Sequence, residues 1–296
     1  MTDQVIGVDL GGTNIKLGRY TREGECLAAL KIATPQPSSP DPVIAEIVAA
    51  IRELDPQREA IALGVGTPGP ADVNGRIAKL AINLPGWVDV PLADRLEALI
   101  GLPTTVGNDA NCAGLGEAWL GAGRHFQNWI LLTLGTGVGG AIFINGELFV
   151  GHNGTAGELG LVTVDLNGPP CKSGNHGSLE QHVSAQAIRR RTGLEPSELA
   201  DKAAAGDGEA IAFWQQYGRE LATGITSTVY VLAPEAVIIG GGICAASEFF
   251  LPTFKAEVER RVKPTSREGL QFAIAELGNQ AGMAGAARLA WKSLAF

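Results

Sequence analysis

Ile6-Gly-Val-Asp-Leu10, Gly11-Gly12-Thr13-Asn14, Ile15-Lys-Leu-Gly-Arg-Tyr20: an apolar run, a turn of small residues and a second run open the chain, and together they read as strand, glycine turn, strand. The same order returns at Trp129-Ile-Leu-Leu-Thr-Leu134, Gly135-Thr136-Gly137-Val138-Gly139-Gly140 and Ala141-Ile-Phe-Ile144. A pattern repeated at this distance predicts two halves of related architecture. Between and after these units, strands and helices alternate. Helical spacing of Ile44, Ile47, Val48 and Ile51 predicts a helix with Asp41 as N-cap and Pro42 at its first position, after a Pro/Ser-rich connection over 34–40. A strand is expected over 61–65, a turn at Thr67-Pro-Gly-Pro70, a hairpin tip at Asn74-Gly75, a helix over 92–100 and a strand over 104–106. A helix over 110–120 follows Asn108-Asp109. Further helices are expected over 184–191, 196–205, 209–232, 249–262 and 281–294, with strands over 236–239 and 271–275. Alternation of this kind is the mark of an α/β protein. No linker separates independent domains. The expected division is a small N-terminal lobe, 1–115 plus 281–296, and a large C-terminal lobe, 116–280, sharing a cleft.

The bulk numbers narrow the function classes. The chain has 296 residues, 45% hydrophobic and 18% charged, enough apolar material for a large core and unlike a disordered chain. A net charge of −8 argues against nucleic acid or an anionic membrane as partner. The tight basic groups, Arg189-Arg190-Arg191 and Arg260-Arg261-Val262-Lys263, read as solvated helix faces. Val5 to Val8 enters a strand with no charged leader before it, and Cys26, Cys112, Cys171 and Cys244 are widely spaced, so a cytoplasmic chain with reduced thiols is expected. The uncharged stretch from Trp129 to Ile144 is broken by glycines and reads as a hairpin rather than a membrane span.

Glycine-rich turns after strands suit a polyanion, because backbone N–H groups approach phosphate most closely where no Cβ intervenes. Asp9-Leu-Gly11-Gly12-Thr13 offers a carboxylate at a strand end, two glycines and a hydroxyl. Gly135-Thr136-Gly137 offers a second cradle, and Gly240-Gly241-Gly242 follows an apolar strand where a nucleotide would meet backbone. Each alone also reads as an ordinary tight turn. A Walker-type Gly-Lys-Ser/Thr ending is absent, as is a dinucleotide fingerprint entering a helix, so a phosphate site of another type is expected.

These motifs resemble those of the ROK family of bacterial repressors, open reading frames and sugar kinases, within the actin/hexokinase/Hsp70 superfamily. The likeness runs through Asp9-Leu-Gly-Gly-Thr-Asn-Ile-Lys16, Gly64-Val-Gly-Thr-Pro-Gly-Pro70, Asn83-Leu-Pro-Gly-Trp87 and Gly107-Asn-Asp109. It continues through Leu134-Gly-Thr-Gly-Val-Gly-Gly140, Ala156-Gly-Glu-Leu-Gly160 and Gly240-Gly-Gly-Ile243, and is strongest to glucokinase-like members. It implies a two-lobed actin/hexokinase-like fold, a duplicated ribonuclease H-like architecture whose lobes close on the sugar. The implied reaction is ATP-dependent phosphorylation of a hexose, chiefly glucose to its 6-phosphate, with Asp109 as general base. Asp109 also reads as an N-cap of the helix that follows.

The resemblance places the hexose on Asn83, Asn108, Asp109, Glu158 and Glu180, a mixture of donors and acceptors suited to hydroxyls. Asn83 equally reads as a turn residue, and Trp87 as either a sugar-stacking ring or core. ATP falls to Asp9, Gly11, Gly12, Thr13, Asn14, Lys16, Gly135, Thr136, Gly137, Gly240, Gly241 and Gly242. Asp9 would hold Mg²⁺ through water, and Lys16 is either near the phosphates or an exposed strand charge. The resemblance also implies a homodimer.

The chain departs from the family at its structural zinc, which takes one His and three Cys. Leu161 stands at the His position, and Ser173 and Ser178 stand at two of the sulfur positions beside Cys171. One thiolate and two neutral hydroxyls do not make a Cys₃His site, even with His176 and His182 nearby, so no zinc is expected. Other readings are a kinase of N-acylmannosamine, fructose or another hexose, a polyphosphate-using glucokinase, and a sugar-binding pseudokinase or regulator. A repressor would carry an N-terminal helix-turn-helix, whereas the phosphate motif here begins at residue 9.

Overall fold

The structure is a computed structural model that describes residues 3–81 and 84–294; Asn83 lies outside the described residues. The chain forms two compact units. One takes in Met1–His125, Leu148–Ala156 and Asn279–Phe296, the other Phe126–Glu147 and Gly157–Gly278. The division falls elsewhere than the boundary expected at 115/116. Residues 116–125 and 148–156 belong with the first unit, and the helix ending at Leu120 packs along the last helix of the chain.

The first unit contains β1 (Gln4–Leu10), β2 (Asn14–Thr21), β3 (Cys26–Ala33), α1 (Pro40–Leu54), β4 (Ala60–Thr67), β5 (Ala78–Leu80), β6 (Val88–Val90), α2 (Leu92–Ile100), β7 (Thr104–Asn108) and α3 (Asp109–Leu120). The second contains β8 (Trp129–Leu134), β9 (Val138–Ile144), α4 (Glu180–Val183), α5 (Ala185–Thr192), α6 (Pro196–Ala204), α7 (Gly208–Leu232), β11 (Ala236–Gly240), α8 (Ser247–Arg261) and β12 (Gln271–Ile274), with β10 (Glu147–Leu148) at its margin. The last helix, α9 (Ala281–Ser293), returns to the first unit.

The sheets run β3-β2-β1-β4-β7 and β10-β9-β8-β11-β12. In the first, β1 is antiparallel to β2 and parallel to β4, which is parallel to β7. In the second, β8 is antiparallel to β9 and parallel to β11, which is parallel to β12. The two orders are the same topology used twice, and the two glycine turns are the first hairpin of each half. Each unit has its own apolar core, one built around Ile6, Val8, Leu63 and Val65, the other around Leu132, Trp214, Tyr217, Ile239 and Phe250.

Local signals missed in three places. Helix α1 starts two residues early, with Ser39 as N-cap and Pro40 in its first turn instead of Asp41 and Pro42. Strand β3 is an addition to the expected elements, with Ala28, Leu30 and Ile32 alternating toward the core with period two. The turn between β9 and β10 is a further one and carries Asn145-Gly146, both at positive φ, a hairpin signal.

Candidate active site

In the first unit the parallel strands bring their carboxyl ends level. Asp9 pairs in register with Gly66, and Gly66 with Gly107 on β7. Asn108 and Asp109 follow at the step from β7 into α3. A side chain at Gly66 would press on the Cys112 sulfur, 3.1 Å away, and lie 3.7 Å from the Asp109 Cα, so the bare residue lets the start of α3 approach the sheet. Burial, followed by the charges of Asp9 and Asp109, pushes the Cys112 thiol up. Both carboxylates are near enough for their charges to act on one buried sulfur. Ligands of parallel α/β sheets gather at this carboxyl edge.

The N-cap of α3 is Asn108, whose Oδ1 accepts from Asn111 N–H at 3.0 Å. Asp109 is thereby relieved of the capping role open to it from sequence. Its Oδ1 accepts from its neighbour's N–H (Ala110, 2.8 Å) and from Asn108 Nδ2 at 3.1 Å, while Asn108 Nδ2 also donates to Gly69 O at 3.0 Å. The Asn108 amide is thus fixed on three sides and in turn orients the half-buried Asp109.

The turn after β1 closes on itself, Gly11 N–H donating to Asn14 O at 3.0 Å. Gly12 and Thr13 are exposed, and neither of their N–H groups has an acceptor among the described residues. Lys16 is more than a strand charge: its Nζ lies 3.2 Å from Asp9 Oδ2 and donates to Asn279 O at 3.2 Å. The Asp9 carboxylate rests on the first turn of α9, since a Cβ at Gly282 would stand 2.9 Å from Asp9 Cγ. A helix N-terminus favours the anion there.

In the second unit the turns 135–137 and 240–242 lie side by side at the carboxyl ends of β8 and β11, where Gly240 pairs with Thr133. Their glycines differ in why they are glycines. Gly241 sits at φ +92°, and a Cβ there would lie 2.3 Å from the Leu134 carbonyl oxygen, so the backbone itself requires it. A Cβ at Gly137 would lie 2.5 Å from Glu180 Oε2, which also accepts from Val138 N–H at 3.0 Å. Protein packing therefore accounts for Gly137 and Gly241. At Gly135 and Gly242 a Cβ would meet nothing within 4 Å, and at Gly12 only Leu84 at 3.9 Å. Packing of the described residues gives no reason for glycine at these three positions. The open space there leaves room for close approach to the backbone.

Glu180 is the first residue of α4, and its charge acts on Glu158. The residue Glu158 keeps solvent-exposed area, yet loss of water around its carboxyl, and then the Glu180 charge, raise its pKa. A carboxyl with a raised folded pKa binds more protons than the unfolded chain does, so stability falls as pH rises from its unfolded value through its folded one. Glu158→Gln is expected to flatten the decline in melting temperature on the alkaline side of pH 4.3. A decline as steep as in the unaltered chain would contradict the shift.

Trp87 is fully buried and its Nε1 donates to Ser38 O at 2.8 Å, so it belongs to the core and stacks on no ligand. Cys171 is buried. Burial raises its thiol, but the neighbouring Ser173 and Ser178 outweigh this and hold it below the usual thiol range. Among the described residues no group of three or more His, Cys, Asp or Glu could hold a metal ion. No helix there is long and apolar enough to cross a membrane.

The profile of the ROK family matches residues 5–293. A glucokinase of Thermotoga maritima is 35% identical, over 97% of this chain and 96% of that protein. A glucokinase of Halalkalibacterium halodurans is 37% identical, over 95% and 92%. The crystal structure of a ROK family glucokinase from Streptomyces griseus in complex with glucose and AMPPNP superposes with a TM-score of 0.85 at 32% identity, covering 98% of this chain and 99% of that one.

Proposed function

The chain belongs to the ROK family, and from that premise we propose that it is an ATP-dependent hexose kinase that phosphorylates glucose at its 6-hydroxyl. Asp109 takes the proton of the attacking hydroxyl. The sugar oxygen forms its bond to the γ-phosphorus as the bond from that phosphorus to the β,γ-bridging oxygen breaks, and ADP leaves. What supports this most is the company Asp109 keeps: a carboxylate held by Asn108 on the same strand edge as Asp9 and a turn with two exposed N–H groups that have no acceptor among the described residues.

Asn83, Asn108, Glu158 and Glu180 are proposed to hold the hexose hydroxyls. Glu180 brings one carboxylate oxygen already committed to Val138, and Glu158 a carboxyl whose pKa is raised by burial and by the Glu180 charge. The turns at 11–14, 135–137 and 240–242 are proposed to receive ATP, with Lys16 beside its phosphates. A partly water-accessible carboxylate at a strand end, with Lys16 on one of its oxygens, fits a magnesium ion that keeps most of its hydration shell, so Asp9 would hold Mg²⁺ through water. That ion would neutralise charge on the β- and γ-oxygens. The same reading has no structural zinc, a homodimer and a cytoplasmic location.

The deciding experiment is a coupled assay over glucose, fructose, mannose and N-acetylmannosamine, each with ATP and with polyphosphate. Preferred turnover of glucose with ATP is expected. No turnover with any pair would leave a sugar-binding pseudokinase. In the same assay Gly135→Ala is expected to raise the KM for ATP roughly tenfold while the melting temperature stays within about 1 °C, because the added methyl meets no protein atom within 4 Å. An unchanged KM would remove this turn from the nucleotide site.

A further inference from the structure

The Pro/Ser-rich connection over 34–40 begins at Thr34, which is 4% exposed. Thr34 grips the phosphate turn twice. Its Oγ1 donates to Gly11 O at 2.6 Å, and its N–H donates to Thr13 O at 2.9 Å, one step beyond the Asn14–Ala33 pair that ends the β2–β3 ladder. The hydroxyl bond has a specific geometric effect. The C=O of Gly11 and the N–H of Gly12 belong to one planar trans peptide and point in opposite directions. Holding the carbonyl inward therefore aims the Gly12 N–H outward, where it has no acceptor among the described residues. Gly12 itself, without a side chain and without a packing reason to lack one, does nothing to fix that plane.

We propose that Thr34 is a positioning residue for the nucleotide: its hydroxyl locks the 11–12 peptide so that the Gly12 N–H is preset toward phosphate. The proposal rests on the reading that the 11–13 turn receives ATP. A preset donor binds an anion without first stopping the rotation of its own peptide, and that saving appears in affinity for the phosphate-bearing substrate alone.

Thr34→Val keeps the shape and the backbone bond to Thr13 but removes the hydroxyl. It is expected to raise the KM for ATP about fivefold to tenfold, with kcat and the KM for glucose within twofold of the parent. Thr34→Ser, which restores the hydroxyl, is expected to return the KM for ATP to within about twofold. Titration of magnesium-ATP followed at the Gly12 amide resonance reads the same contact without turnover, and the apparent Kd should weaken by the same factor in Thr34→Val. A KM for ATP unchanged in Thr34→Val, an equal rise in both KM values, or a Thr34→Ser variant no better than Thr34→Val would overturn the proposal. Should the parent phosphorylate no sugar while its Gly12 amide still responds to magnesium-ATP, more weakly in Thr34→Val, the kinase reading falls and the role of Thr34 stands. No response at Gly12 in the parent removes both the turn and Thr34 from nucleotide binding.

Discussion

Asp109→Asn is expected to lower kcat for glucose phosphorylation about 1,000-fold while the protein melts at the same temperature and binds glucose within a few fold. A positioned general base contributes on the order of 10²–10⁴-fold, and a factor of 10³ corresponds to about 4 kcal/mol of barrier. Asparagine is the informative replacement because it preserves the local bonds. Its Oδ1 would still accept from Ala110 N–H and Asn108 Nδ2, so the start of α3 and the Asn108 cap stay in place. What it lacks is a lone pair basic enough to take the hydroxyl proton. A steady-state assay, with glucose binding followed by calorimetry, separates the two. If kcat stays within tenfold of the parent, another group accepts the proton and Asp109 is a sugar ligand only.

Gly285→Val is expected to cost the first unit about 3 kcal/mol or more, the upper part of the range for overpacking. Helix α9 lies so close to α3 and the sheet that side chains are missing on both sides of the seam. A Cβ at Gly285 would overlap the Cys112 carbonyl, one at Gly116 the Ala281 carbonyl, and one at Gly64 the Ala286 carbonyl. Each obstacle is backbone, which has no rotamer in which to retreat. The helix must move away, opening the packing beneath Cys112 and disturbing Asp9, whose carboxylate sits on Gly282 one turn earlier. Thermal melting of the parent and of Gly285→Val, with Gly135→Ala as a control, measures this. A fall of about 6–12 °C is expected for the seam variant. Equal melting temperatures for all three would mean that the approach of α9 to α3 is looser than described.

The two glycine variants illustrate what residue identity left open. Both positions are glycines in a glycine-rich chain, and sequence alone offers the same reason for each. Only the atoms around them separate a glycine that packing demands, as at 285 and 241, from one that leaves room, as at 12, 135 and 242. Asn108 and Asp109 pose a similar ambiguity, since either is a good cap before a helix. The choice fell on Asn108 because its other side-chain atoms reach Gly69, 39 residues away, and no local pattern carries that contact.

The sequence by itself determined the α/β class and the repeated strand–turn–strand unit. Those follow from hydrophobic period and from turn chemistry, which act within a few residues. Tertiary structure alone decided that Trp87 is core, that Lys16 pairs with Asp9 and that Thr34 grips the turn at 11–13. The physical reason is range: those outcomes depend on which distant backbone and side-chain atoms come within a few ångströms once both cores have packed.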